Sequence, residues 1–235
     1  MMDSEQTFVA EIIGPAGAGK TTLSQLLQQS ADVRGGLSLW GSPAWLLTVG
    51  AFLSIPDLLT LFSVHRCLGW EEVKLVIQLN GLRLLLHLES TKGFSTVLLD
   101  EGMIFALAKL DQCGRGRSIT HSRDEVLRLL SPATKALNAV IWLDAPDGVL
   151  AQRIRERVKP HRIKHGPDAD IHAHLGGYRT AFENVIAELK RSRDLKVIRF
   201  NTDKEPLEQI AAKILAHARV RNIEAVEVAT STAGV

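Results

Sequence analysis

Two cysteines in 235 residues, Cys67 and Cys113, are too few and too far apart for a disulfide framework, and neither sits in a CxxC pair that could start a zinc ribbon. A reducing, cytoplasmic setting fits that scarcity. Excess charge of one sign is also missing, since 28 Lys and Arg face 26 Asp and Glu for a net charge of +2. Non-specific nucleic-acid binding is therefore a poor default, local basic clusters aside, and no nucleic-acid partner is expected. The N-terminus has Asp3 and Glu5 where a signal peptide needs basic residues. No apolar run is long enough to span a bilayer without interruption: Ala44 to Val64 is broken by Pro56-Asp57. That stretch reads as two buried or pocket-lining helices with Ser54 as a candidate N-cap, and no membrane partner is expected.

What is present is an ordinary globular composition, 46% apolar and 23% charged. At this length it implies one domain with insertions. Apolar β-branched runs alternate with helical patterns along the chain. TFVAEII (Thr7 to Ile13) reads as a strand, Gly14 opens a glycine-rich turn, and TTLSQLLQQS continues as a helix. Leu37 to Trp40 reads as a second strand between Gly35-Gly36 and Gly41-Ser42-Pro43. Leucine-rich helices follow, with VKLVIQLNGLRLLLHL from 73 to 88 at helical spacing. Further strands are expected at Ser95 to Leu99, Ala139 to Leu143 and Leu195 to Phe200, and helices after Gly102, over Asp124 to Leu137, over 147–158, from Tyr178 and over Leu207 to Arg219. A Pro/Gly/His-rich loop is expected between Pro160 and Gly177, and residues 223–235 read as a flexible tail. Strands alternating with helices imply a mainly parallel sheet covered on both faces, a three-layer α/β/α fold.

The chemistry starts at Gly14-Pro15-Ala16-Gly17-Ala18-Gly19-Lys20-Thr21, a GxxxxGK[ST] phosphate loop lying between strand and helix as its mechanism requires. Its backbone N–H groups and the helix N-terminus suit phosphate oxygens, with Thr22 next in line. Lys20 is the candidate for the β- and γ-phosphates, and the Thr21 hydroxyl is a ligand for Mg²⁺. ATP and Mg²⁺ are the cofactors this implies. Val97-Leu98-Leu99-Asp100-Glu101 then places carboxylates at the C-terminal end of a strand. Asp100 is a candidate Mg²⁺ or acceptor-hydroxyl carboxylate and Glu101 a candidate general base. The plainer reading is that the pair caps the helix that follows.

Between Arg153 and Lys164 there are six basic residues against the single acid Glu156. Arg153 and Arg157 share a helix face, where they could clamp a phosphoryl group, or simply form a solvated surface. The segment from Pro167 to His174 alternates carboxylates and imidazoles, reads as an exposed lid loop, and matches no zinc spacing.

Taken in order, GPAGAGKTT, the strand ending at Asp100, AVIWLDAP with Arg153 and Arg157 after it, Arg162, the helix YRTAFENVI and the closing strand VIRFNTD resemble the nucleoside monophosphate kinases of the P-loop group, thymidylate kinase above all. The resemblance spans residues 7–217 and is weakest between Ala31 and Ser95. It implies a five-stranded P-loop NTPase domain over residues 1–222, with a helical acceptor-binding insert at about 42–94 and a lid at about 153–177. It also implies that Lys20 and the lid arginines, Arg162 included, stabilise the phosphoryl group, that Asn201 lies near the adenine, and that a small-molecule acceptor is the partner; a homodimer is compatible with it. The chain departs from the family where Glu101 stands in place of the arginine that usually follows the aspartate and holds the acceptor's phosphate. An unphosphorylated alcohol is thus as acceptable an acceptor as a nucleotide, and an ATPase or nucleotide-dependent switch is the alternative function.

Overall fold

The computed structural model describes residues 7–37, 44–65, 69–114, 134–158 and 163–232. Five parallel strands form one sheet: β1 (Phe8–Ile13), β2 (Val33–Leu37), β3 (Thr96–Asp100), β4 (Ala139–Asp144) and β5 (Lys196–Asn201). Their order is β2-β3-β1-β4-β5. The helices are α1 (Lys20–Leu27), α2 (Ala44–Leu53), α3 (Ile55–His65), α4 (Trp70–Ser90), α5 (Met103–Gly114), α6 (Asp147–Glu156), α7 (Asp168–Ser192) and α8 (Leu207–Thr232). The P-loop α/β fold expected from the sequence is the fold observed.

Strand order and register position the site. β1 is central, and the pairing of Ile12 with Asp100 and of Asp144 with Asn201 brings the C-terminal ends of four strands to one edge. Ligands of open α/β sheets bind at that edge. Alternation along β1 splits the core into two clusters. Val9 and Ile13 join α4, α5 and α7 on one face, while Ala10 and Ile12 join α1, α6 and α8 on the other.

Several sequence expectations are corrected. The second strand is Val33–Leu37, so Gly35-Gly36 lies inside it; it is an edge strand whose register shifts between Arg34 and Leu37, and such a bulge tolerates glycine. The segment Ala44 to Ser63 does form two helices, but their outer sides are exposed instead of buried. Ser54 does not cap α3 with its side chain; its buried hydroxyl donates back to the Gly50 carbonyl at 2.7 Å. The expected loop up to Gly177 is helical from Asp168, because Asp168 and Asp170 fall in the first turn of α7, where they complement its dipole. The helix α8 runs on to Thr232, through most of the expected tail. The helix expected over Asp124 to Leu137 lies outside the described residues apart from 134–137, which form a turn.

Candidate active site

A cavity of about 610 Å³ opens at the C-terminal edge of the sheet, floored by the phosphate loop. The loop leaves β1 at Gly14, whose φ of 149° and lack of a side chain are both required, since a Cβ there would sit 2.1 Å from the Leu143 carbonyl oxygen of β4. Gly14, Ala16, Gly17, Gly19, Lys20, Thr21 and Thr22 line the cavity. Ala18 is instead fully buried beneath the loop, and Pro15 offers its carbonyl to Lys20. The helix α1 begins with no side-chain cap and no acidic residue in its first turn, which leaves its positive end to the cavity.

Lys20 folds over the loop, its Nζ donating to the carbonyls of Gly14 (2.8 Å) and Pro15 (3.0 Å). Burial pulls its pKa down to about 8, against the pull of Asp100 and Glu101. Burial likewise pushes the Asp100 carboxyl up, opposed by Lys20. The two groups line the same cavity and feel each other's charge in partly desolvated surroundings, where a phosphate and its metal would restore the charged form of both. Thr21 and Asp100, the expected Mg²⁺ ligands, line the same cavity, an all-oxygen set that suits a hard cation.

Glu101 sits in the left-handed region with φ 56°, the one described residue other than glycine to do so. Gln78 of α4 holds that turn by donating to the Glu101 carbonyl at 3.2 Å. The capping role that the sequence allowed for Asp100 and Glu101 belongs to another residue. Glu11, fully buried in β1, accepts the N–H groups of Ile104 (2.8 Å) and Phe105 (2.9 Å) at the start of α5. Gly102 passes so close that a Cβ would lie 2.8 Å from the Glu11 carboxylate. With α5 capped from below, both carboxylates of the Asp100-Glu101 pair are left to the cavity.

The basic residues divide by role. Arg153 lines the cavity and braces it, donating to the Thr202 hydroxyl (2.9 Å) and carbonyl (3.0 Å) and reaching the Gly17 carbonyl at 3.5 Å. Arg157 follows the last turn of α6, lines the cavity, and is close enough to Lys20 for its charge to lower the lysine pKa. Arg162 lies outside the described residues. Asn201 turns its Oδ1 onto the N–H of Asp203 at 2.9 Å, so it is Thr202 that lines the cavity at this position.

The far wall was not foreseen as part of the site. Phe105 of α5 stacks on Tyr178 of α7, centroids 6.0 Å apart and planes within 7° of parallel, and His174 meets Tyr178 edge-on at 5.0 Å. All three line the cavity, which their helical spacing in the sequence did not reveal. Among the described residues the lining takes nothing from α2, α3 or α4 of the insert. Arg179 was likewise unforeseen. It grips both oxygens of Asp144 at 2.8 and 2.9 Å and also binds Asp147, which fixes α7 to the end of β4 and raises the guanidinium pKa.

No protein-family model matches the sequence, nor does any curated protein. Solved structures do resemble this one. Thymidylate kinase from Candida albicans superposes with a TM-score of 0.56 at 11% identity, over 92% of this chain and 93% of that one. The YorR protein of Bacillus subtilis, solved with phosphorylated GDP, gives 0.52 at 16% identity over 91% and 96%. Deoxyadenosine kinase from M. mycoides with bound dATP gives 0.52 at 12% identity over 88% and 97%. This chain therefore has the fold shared by P-loop nucleoside and nucleotide kinases.

Proposed function

We propose that the protein is an ATP-dependent small-molecule kinase, moving the γ-phosphoryl group from ATP-Mg²⁺ to an acceptor hydroxyl. The observation that carries this reading is the shape of the cavity: the phosphate loop with Lys20 and Thr21 makes one wall, the Asp100-Glu101 carboxylates the middle, and Phe105, Tyr178 and His174 an aromatic far wall. A site for hydrolysis alone needs room for a water, whereas an aromatic wall opposite the phosphates suits the flat or apolar body of a second substrate. Bound ATP-Mg²⁺ supplies the phosphoryl group and neutralises its charge.

The residues of the chain position and exclude. The loop amides and Lys20 hold the β- and γ-phosphates, Arg157 adds positive charge beside Lys20, and Arg153 keeps the loop against Thr202. Thr21 and Asp100 supply the metal oxygens. Glu101, the next residue and also part of the cavity lining, takes the proton as the acceptor oxygen attacks and ADP leaves. The cation that would hold an acceptor's own phosphate is lacking at position 101, so an unphosphorylated alcohol suits the site at least as well as a nucleotide.

A second reading, an ATPase or nucleotide-operated switch in which Glu101 orients water, rests on the same Asp-Glu pair. Coupled ADP detection with nucleosides, nucleotides and sugars separates the two. ADP formation that rises at least about tenfold with one acceptor class supports the kinase. An unchanged rate across the panel supports hydrolysis.

A further inference from the structure

Glu101 is held in a conformation that it would not keep by itself. Its φ of 56° lies in the left-handed region, which is unfavourable for a residue with a Cβ and persists only where neighbours fix it. Two contacts fix it here. A Cβ on Gly102 would lie 2.8 Å from both the Glu11 carboxylate and the Leu99 side chain, so the turn runs against β1 and β3 with no room to shift that way. The side chain of Gln78 in α4 then donates to the Glu101 carbonyl at 3.2 Å. That carbonyl belongs to the rigid peptide between Glu101 and Gly102, so pinning it sets the rotation on which the direction of the Glu101 side chain depends.

Packing alone does not call for an amide at position 78. Gln78 is 6% exposed, and Leu75, Val76, Leu79 and Leu82 of the same helix are buried with it. A leucine would be buried there without desolvating a polar group. The other buried polar residues of α4 serve its packing on neighbouring elements. Asn80 binds Ser54 at 3.1 Å and Asp57 at 2.9 Å where α3 begins, and Glu89 binds Lys92 at 2.7 Å and Arg34 of β2 at 3.5 Å. Gln78 is the one that reaches the Asp100-Glu101 turn, and its side chain makes no other hydrogen bond among the described residues. It does not line the cavity, so whatever it does for the reaction it does through Glu101.

We propose that Gln78 is a positioning residue for phosphoryl transfer, holding Glu101 in the left-handed conformation that keeps its carboxylate among the cavity groups; this rests on the proton-accepting role given to Glu101 above. The insert helix α4 is thereby tied to the base without touching either substrate. With the bond removed, the turn relaxes towards negative φ and the carboxylate leaves its place beside the acceptor oxygen. The phosphate loop follows β1 and makes no contact with Gln78, so nucleotide binding is unaffected.

A double-mutant cycle on Gln78 and Glu101 tests this, with the full chain, ATP-Mg²⁺ and the panel of nucleosides, nucleotides and sugars, read as kcat and as KM for ATP. Gln78→Leu should lower kcat about tenfold and leave KM for ATP within about twofold of the parent. Glu101→Gln should lower kcat by about 10²-fold or more. The double variant should be no slower than Glu101→Gln to within about twofold, because a residue that acts only through Glu101 has nothing left to position. If no acceptor raises the rate, the same cycle is read on ATP hydrolysis, where Glu101 orients the water. Should Gln78→Leu lack the parental circular dichroism, Gln78→Asn takes its place in the cycle, since its amide is one methylene too short to reach the carbonyl. An unchanged kcat for the position 78 variant, or a loss that adds in full to that of Glu101→Gln, overturns the proposal and leaves the kinase reading standing. Parental kcat in Glu101→Gln overturns both the proposal and the role of Glu101 as base.

Discussion

Glu11 illustrates how one buried atom group can set the geometry of a site it never touches. A carboxyl with no exposure inside a parallel sheet is costly to ionise, and burial raises its pKa to about 7 even though backbone N–H groups at the start of α5 favour the charged form. The folded value lies above the ordinary 4.5, so between the two the native state holds a proton that the unfolded chain has released. Stability therefore falls as pH rises from about 4.5 to about 7, by an amount on the order of 3 kcal/mol. Glu11→Gln removes that titration. Urea unfolding at pH 5 and pH 8 should show the parent losing stability relative to the variant as pH rises, and parallel pH dependences would refute the assignment. Lys20 is a residue of the other kind, one whose removal changes charge at the phosphates and little core packing. Lys20→Ala should lower turnover by about 10²–10³-fold or more while circular dichroism stays unchanged; near-parental turnover would remove the nucleotide site from this loop. The phosphate-loop residues were legible from spacing alone because each does chemistry that constrains its neighbours. Glu11 was not, being one acid within an apolar run, and neither were Phe105 and Tyr178, whose helical spacing looks the same whether a ring faces a core or a cavity.

At the scale of elements, β1, β3 and β4 are central strands buried on both faces, so their sequences are nearly continuous in apolar residues, and the edge strand β5 was legible from Val197, Ile198 and Phe200. The misplaced one, β2, is the edge strand that carries glycines, and glycines inside a bulged strand look like the glycines that end one. The start of α7 was missed for a related reason: its acidic first turn resembles a polar loop until Pro167 is seen to stand immediately before it. What fixes α7 against the sheet is an ion network of distant residues, which no local pattern announces. Arg179 binds Asp144 at the end of β4 and Asp147 at the start of α6, and it also donates to the Ala145 carbonyl at 3.0 Å. Arg179→Met would leave two carboxylates without their cation. Because the pair retains some solvent access, the expected loss is about 2 kcal/mol, less than for a fully buried pair. Chemical denaturation should show this as a lowered midpoint at constant slope, and Arg179→Lys should recover less than half of it, since an ammonium cannot match the two-pronged contact. A midpoint within experimental error of the parent would mean that packing of Ala181, Phe182 and Val185 alone holds α7 in place.

The whole molecule divides its labour across the sheet. The phosphate loop, α1, α6 and α8 belong to the core on one face, while α4, α5 and the aromatic end of α7 belong to the other. Residues of both faces meet at the cavity, where Lys20 and Arg153 come from one side and Phe105 and Tyr178 from the other. A nucleotide bound by loop amides and Lys20 should therefore stabilise the two halves unequally. With ATP-Mg²⁺ at about 100 times its Kd the gain is about 2.7 kcal/mol, provided that the unfolded chain does not bind it. Amide hydrogen exchange should slow first in Gly14–Leu27, around Arg153 and at Thr202, whereas the amides of α2 and the first half of α4 should keep their rates, since these helices line no part of the cavity among the described residues. Addition of an acceptor of the right class should then extend protection to the Asp100–Phe105 turn, because Glu101 stands between the two substrates and Phe105 belongs to the wall on which the acceptor rests. If ATP-Mg²⁺ alone protected both halves equally, the faces would have to move as one body on nucleotide binding, and the aromatic wall would be part of the nucleotide site instead of the place where a second substrate rests.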